Sequence, residues 1–145
     1  METLSSIHSS TREDRYKEII PQIESLISGE NDLIANLANT AAALKLALGD
    51  DASWVGFYLY KSGELVLGPF QGKPACVRMQ IGRGVCGTAA KEKRSILVPD
   101  VTKFPGHIFC DPDSKSEIVV PLLRNNEVVG VIDVDSTSLN AFDKT

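Results

Sequence analysis

The spacing of apolar residues predicts two helices in the first third of the chain. Apolar positions recur at helical intervals over Tyr16, Ile19, Ile20, Ile23, Leu26 and Ile27, and again over Leu33, Leu37, Ala41, Leu44 and Leu48. Ser10 with Glu13 has capping-box spacing, and Asp32 is a suitable cap for the second helix. Pro21 predicts a kink or restart in the first helix, and Gly49 stands where helix ends favour glycine.

From Trp54 onward the hydrophobic period changes to two, which predicts strands. WVGFYLY and ELVLGPF flank a Gly-containing turn at 61–63, and EIVVPLL and VVGVIDVDS flank a second turn at 124–127. CVRMQI and ILVPD are further strand candidates, and VCGTAAKEK is a short helix that begins just after Gly84. This order predicts an α+β fold, with an antiparallel sheet of five to six strands and helices packed on it.

Length and composition predict one folded domain over residues 1–145, in which residues 1–12 form a flexible N-terminal segment. Hydrophobic residues make up 43% of the chain and the net charge is −4, as in ordinary globular proteins. The longest basic run, at 91–94, is short and interrupted, so we expect no nucleic-acid partner. Neither a secretion signal nor a membrane-spanning stretch is visible, which predicts a cytoplasmic location and no membrane contact.

The chain contains three cysteines, an odd number that argues against a permanent disulfide framework in the cytoplasm. Burial as small apolar residues, metal ligation and redox chemistry all stay open. Cys76, Cys86, Cys110 and His107 lack the close pairs of structural zinc sites, so no metal is expected. Cys110 stands in a polar loop, a partly exposed setting where a substrate can reach a thiol.

One glycine-rich stretch and one acid-rich stretch resemble known ligand-binding loops but do not meet the requirements of those loops. Residues 82–87 fit G-x-G-x-x-G, but a dinucleotide site needs a parallel βαβ unit, whereas hairpins dominate here. A tight turn into a helix is the better prediction, and its N–H groups could hold an anion or lower the pKa of Cys86. Residues 111–117 have the acid spacing of a calcium loop but place Lys115 where an oxygen ligand belongs. We therefore expect no cofactor.

Three acids lie in or beside the last predicted hairpin. Asp133 and Asp135 share one face of an apolar strand because side chains alternate, and Glu117 enters the neighbouring strand. Buried together, they could bind an ammonium group or share a proton as a general acid; a solvated strand end is the alternative. Trp54 and Tyr58, also on one face, form either an aromatic pocket wall or part of the core.

Four segments together resemble free methionine-(R)-sulfoxide reductase, a stand-alone GAF-domain enzyme. They are WVGFYLY, LGPFQGKPACVRMQIGRGVCGTAA, ILVPDVTKFPGHIFCDPDSKSEIVVP and GVIDVDS, within residues 36–142. The resemblance implies a GAF fold, with helices on one side of the sheet and a ligand pocket on the other. Members of the family usually continue into a terminal helix after the position of Thr145, and a small residue is common where Phe109 stands.

The resemblance also implies a role for each cysteine. Cys110 is then the catalytic thiolate, which attacks the sulfur of free methionine sulfoxide, releases methionine and becomes a sulfenic acid. Cys76 captures it as an intramolecular disulfide, and thioredoxin is the expected reductant. Cys86 corresponds to a third cysteine with an auxiliary part. The resemblance leaves room for a homodimer.

The pocket residues follow by the same resemblance. Glu117, Asp133 and Asp135 bind the substrate amino group and assist the sulfoxide oxygen, Asp135 being counted with the catalytic residues. Trp54 and Tyr58 are pocket aromatics, with Trp54 on the S-methyl group. Two rival functions remain: a non-catalytic GAF module that senses a small molecule, and a thiol redox sensor without a substrate, which would leave the three acids unexplained.

Overall fold

A computed structural model describes residues 3–145 as an α+β chain in which every predicted helix and strand is present. In order, the elements are α1 (Arg12–Ile27), α2 (Leu33–Leu48), β1 (Trp54–Lys61), β2 (Glu64–Gln71), β3 (Arg78–Gln80), α3 (Gly84–Glu92), β4 (Ile96–Val98), β5 (Ser116–Arg124) and β6 (Glu127–Ser136). Within the described part, no helix is long and apolar enough to cross a membrane.

All six strands form one antiparallel sheet in the order β3-β2-β1-β6-β5-β4. The two predicted hairpins, β1–β2 and β5–β6, lie side by side, and β1 pairs with β6 in the middle of the sheet. Ser62 and Gly63 both have positive φ, as do Asn125 and Asn126, which suits two-residue hairpin turns. The predicted fold class and strand number are confirmed.

Two of the helices pack on one face of the sheet and the third packs on the other. Leu37 and Ala41 of α2 contact Phe57 and Leu59, and α1 packs on α2 around Ile19. On the opposite face, α3 contributes buried residues at Val85, Cys86, Ala89 and Ala90. The expectation of helices on one side only is thus wrong for α3, whose apolar face covers the sheet surface that α1 and α2 leave open.

The helix ends differ from the predicted ends in one place. Thr11, not Ser10, caps α1, because its Oγ1 accepts a hydrogen bond from the Asp14 N–H at 3.2 Å. The helix then continues through Pro21 as one element. Asp32 caps α2 as predicted, its Oδ1 accepting from the Ala35 N–H at 2.8 Å, and Gly49 ends that helix with a φ of 56°.

Residues 3–11 precede α1 without regular secondary structure but contact the helices. Leu4 and Ile7 pack against the cluster around Ile19, and the Ser5 N–H donates to Gln22 Oε1 at 2.7 Å. The flexibility predicted for residues 1–12 stays a prediction, and Met1 and Glu2 lie outside the described residues.

A candidate active site under a disulfide-linked loop

A pocket lies between the sheet and α3, where the first residues of β1 and β5 flank the last residues of β6. In the strand register, Asp135 stands opposite both Trp54 and Glu117, and Asp133 stands opposite Gly56. Facing residues in antiparallel strands point their side chains to the same side, so the aromatic and acidic residues meet. The empty space of the pocket amounts to about 580 Å³ when its open mouth is included.

Aromatic rings form one wall of the pocket. The indole of Trp54 stacks on Phe70 with ring centroids 5.2 Å apart and on Tyr58 at 5.9 Å. Its Nε1 donates to the Lys73 carbonyl oxygen at 3.0 Å, and the Tyr58 hydroxyl donates to the Cys76 carbonyl oxygen at 3.0 Å. Trp54 and Tyr58 therefore belong to the core and also line the pocket.

Gly56 makes room for the tryptophan. A Cβ atom on Gly56 would stand 2.4 Å from the indole of Trp54, closer than side chains approach one another. The indole can thus lie flat over the backbone of β1 only because this position carries no side chain. A glycine two residues after a tryptophan in an apolar strand is the sequence signal for this arrangement.

The three acids form the floor of the pocket. Glu117 and Asp133 are buried, with 5% and 6% of their surface exposed. The Ser114 hydroxyl donates to Asp135 Oδ1 at 3.1 Å, and the Cys86 thiol lies 4.0 Å from Glu117 Oε1. Among the described residues, Asp133 Oδ1 has no hydrogen-bond partner. The structure thus brings together the acids that the sequence placed on neighbouring strands.

Burial and mutual repulsion give the three acids different proton affinities. Burial raises the pKa of Glu117 and of Asp135 well above the ordinary range, and the charge of Asp133 adds to both shifts. Burial also raises the pKa of Asp133, to about 6, against hydrogen bonds from Glu117, Cys86 and Asp135 that hold it down. The three acids therefore hold protons more tightly than free carboxyl groups do, so the cluster is suited to binding a cation or donating a proton.

Cys86 does not have the activated thiol that its place at a helix start suggested. Burial raises the pKa of this thiol well above its usual value, and the charges of Asp133 and Glu117 raise it further. The hypothesis that the N-terminal N–H groups of α3 lower the pKa of Cys86 is wrong, since desolvation and two nearby carboxyl groups outweigh them. Residues 82–87 form the tight turn that was predicted, in an antiparallel sheet that offers no βαβ unit.

Cys76 and Cys110 form a disulfide, with Cα atoms 5.4 Å apart, and Cys86 is a buried free thiol. The cross-link joins the segment after β2 to the long loop before β5, and Cys110 lines the pocket that lies beneath. Lys73 ties the same two segments together, because its Nζ lies 2.9 Å from Asp113 Oδ2 and 3.6 Å from Asp111 Oδ2. The disulfide fits a redox-active pair next to a binding pocket.

Sequence reasoning missed two polar neighbours of the acids. Ser114 holds Asp135, and His107, which the sequence suggested only as a possible zinc ligand, places its Nδ1 3.8 Å from Glu117 Oε2 with 7% of its side chain exposed. Both residues come from the loop without a hydrophobic period, so no pattern indicated which of its side chains point inward.

Charge burial at Asp133 predicts a pH-dependent gain in stability for Asp133→Asn. The folded-state pKa of about 6 exceeds the ordinary value of 3.8, so the free energy of unfolding falls as the pH rises between these values. At pH 7.5 the variant should be about 1–3 kcal/mol more stable than the wild type, and near pH 4 the difference should vanish. Urea unfolding at both pH values measures it, with exposed Asp143→Asn as control. A gain of equal size at both pH values would contradict the assignment of the charge to Asp133.

Comparisons with known proteins agree with this architecture. Residues 32–145 match the GAF domain. GAF domain-containing protein A of Dictyostelium discoideum is 54% identical over 95% of this chain and 87% of its own length. Free methionine-R-sulfoxide reductase of Escherichia coli is 49% identical over 88% of this chain and 76% of its own.

A solved structure is similar over almost the whole fold. The X-ray structure of free methionine-R-sulfoxide reductase from Neisseria meningitidis, in complex with its substrate, superposes with a TM-score of 0.95 at 49% identity, covering 99% of this chain and 86% of that one. Fold and pocket together define a GAF domain built around a small-molecule site. The chain belongs to the GAF family, in the group whose relatives are named free methionine-R-sulfoxide reductase.

Proposed function

We propose that this protein reduces free L-methionine-(R)-sulfoxide to L-methionine, with Cys110 as the nucleophile. The observation that carries the proposal is the Cys76–Cys110 disulfide at the edge of a pocket that combines an aromatic wall with three clustered acids, of which Glu117 and Asp133 are buried. The similarity to reductases of this name, one of them solved with its substrate, supports it.

Substrate recognition would use both parts of the pocket. The carboxylate of Asp133, with an oxygen unpaired among the described residues, is suited to the α-ammonium group of a free amino acid. The indole of Trp54 offers an apolar surface for the S-methyl group, with Tyr58 beside it. Methionine within a peptide chain has no ammonium group, so it would leave the buried carboxylate without a partner. The acids thereby favour the free amino acid.

The reduction itself transfers the sulfoxide oxygen to the cysteine. After the disulfide is opened, the Cys110 thiolate attacks the sulfur atom of the sulfoxide while a protonated carboxyl group donates a proton to its oxygen. The attack forms a sulfur–sulfur bond to the protonated sulfoxide. The hydroxyl group then passes to Cys110 as its bond to the substrate sulfur breaks, and the sulfur–sulfur bond breaks with its electron pair left on methionine, so that Cys110 becomes a sulfenic acid. Asp135 is suited to the acid role, because burial raises its pKa and the Ser114 hydroxyl holds its Oδ1, and Glu117 stands beside it.

Recycling would return the enzyme to the disulfide seen here. The Cys76 thiol displaces water from the Cys110 sulfenic acid, forming the sulfur–sulfur bond. A protein dithiol of the thioredoxin type then reduces the disulfide by thiol exchange and is itself oxidised. Cys86 would act as an auxiliary residue, because its buried thiol lines the pocket without joining the cross-link. The cytoplasmic location and the homodimer stay predictions.

Substrate analogues test the proposal directly. With a thioredoxin system, methionine release should occur from the free R epimer and be at least about a hundredfold slower from N-acetyl-methionine-(R)-sulfoxide, because acetylation removes the ammonium charge. The S epimer serves as the stereochemical control. Equal rates on the free and acetylated substrates would contradict recognition by the acids, and no release from any of them would support a ligand-sensing GAF module instead.

A further inference from the structure

Three side chains on the pocket floor offer ligand atoms that lie close enough together to hold a metal ion. Cys86, Glu117 and Asp133 are all buried, and one atom from each lies within 4.8 Å of the other two. A cysteine sulfur, which loses its proton when the metal binds, and two carboxylate oxygens are among the ligand types that zinc accepts. This trio differs from the zinc set weighed in the sequence, since Cys76 and Cys110 are joined to each other.

The spacing suits a small tetrahedral cation. With Zn–S near 2.3 Å and Zn–O near 2.1 Å, neighbouring ligand atoms lie about 3.6 Å apart. Cys86 Sγ and Glu117 Oε1 are separated by 4.0 Å, so a side-chain shift of a few tenths of an ångström would bring this pair of atoms to the spacing of two zinc ligands.

Unsatisfied polar atoms around the trio point independently to a ligand. His107 Nδ1 has no hydrogen-bond partner among residues 3–145, although only 7% of the side chain is exposed, and it faces Glu117 Oε2 at 3.8 Å. Asp133 Oδ1 is equally buried and equally without a partner there. Buried polar atoms left unpaired cost stability, so both are placed for something that enters the pocket. An imidazole nitrogen is a further ligand of the kind that zinc prefers.

We propose that the pocket floor is a binding site for a thiophilic divalent cation such as Zn²⁺, with Cys86, Glu117 and Asp133 as ligands. A cation there occupies the space assigned to the substrate ammonium group, so it excludes the amino acid. That exclusion rests on the proposed function, whereas the binding itself does not. The thiol selects zinc or cadmium over magnesium and calcium, which prefer oxygen ligands.

The test uses the oxidised protein, in which the disulfide removes Cys76 and Cys110 as competing ligands. Cd²⁺ titration, followed by calorimetry and by thiolate-to-cadmium absorption in the ultraviolet, should show one saturable site per chain. Cys86→Ser should abolish the absorption band and weaken binding at least about a hundredfold, because serine offers no soft ligand. Glu117→Gln, which keeps the side-chain volume, should weaken binding at least about tenfold. Exposed Asp143→Asn is the matched control and should bind like the wild type.

Two further measurements complete the design. Zn²⁺ should displace Cd²⁺, and added L-methionine should raise the apparent dissociation constant of the cation in the oxidised protein. Absence of saturable binding, or unchanged binding in both pocket variants, would overturn the site. Saturable binding that L-methionine does not affect would overturn the exclusion of the amino acid. Cation binding in a protein that releases no methionine from any sulfoxide would refute the proposed function and leave the site standing.

Discussion

Cys110→Ser is expected to reduce methionine release from the free R sulfoxide by roughly a thousandfold or more. A serine hydroxyl at neutral pH is a far weaker nucleophile than a thiolate, and it cannot form the disulfide with Cys76. The measurement is chromatographic quantification of methionine after the fully reduced variant is mixed with excess substrate. Rapid mixing without a recycling system separates the chemical step from reduction by thioredoxin.

The control for this experiment is Val77→Ser, which introduces the same hydroxyl at an exposed position next to the cross-link. It should release methionine like the wild type. Circular dichroism of both variants checks that the fold is retained. If Cys110→Ser released methionine at the wild-type rate, the nucleophile would have to be another thiol, and Cys86 is the remaining cysteine in the pocket.

Cys76→Ser should separate substrate reduction from recycling. The variant keeps Cys110 and the pocket acids, so the reduced protein should release one methionine per chain in a single turnover. It should then stop, because the sulfenic acid has no partner thiol in place of Cys76. A carbon nucleophile that traps sulfenic acids should label Cys110 in this variant, detected by mass spectrometry of the digested protein.

Continued thioredoxin-linked turnover at the wild-type rate in Cys76→Ser would remove the resolving role from Cys76. The sulfenic-acid label must then be sought on Cys86, although burial raises the pKa of this thiol, so that it should react slowly at neutral pH. Val77→Ser again serves as the matched variant, since it should recycle normally and show no trapped adduct after disulfide formation.

Local patterns in the sequence predicted the helices and strands well, because apolar periodicity and capping residues are properties of each segment by itself. Alternation placed Asp133 and Asp135 on one face, and the antiparallel register then brought Glu117 opposite Asp135. The helix caps at Asp32 and Gly49 also follow from local rules. The side of the sheet on which α3 lies does not, because it depends on which apolar surface the other helices leave uncovered.

The site was less predictable from pattern alone. Cys76 and Cys110 are 34 residues apart, and no local rule joins them, so their pairing came from family resemblance rather than from spacing. The protonation of Cys86 depends on burial by other elements, which outweighed the local effect of the helix start. His107 and Ser114 point inward from a loop whose sequence has no period. The orientation of those two side chains depends on tertiary contacts.

The cross-link over the pocket also affects the stability of the whole chain. A disulfide that closes a loop of 34 residues lowers the entropy of the unfolded chain and is worth about 3–4 kcal/mol of stability in the chain-entropy account. The disulfide form is thus the harder one to unfold, and the reduced form, which in the proposed cycle meets the substrate, is less stable. In thermal unfolding the two forms should melt at different temperatures, so that the sizes of the two transitions give the fraction oxidised, and proteases should act mainly on the reduced form.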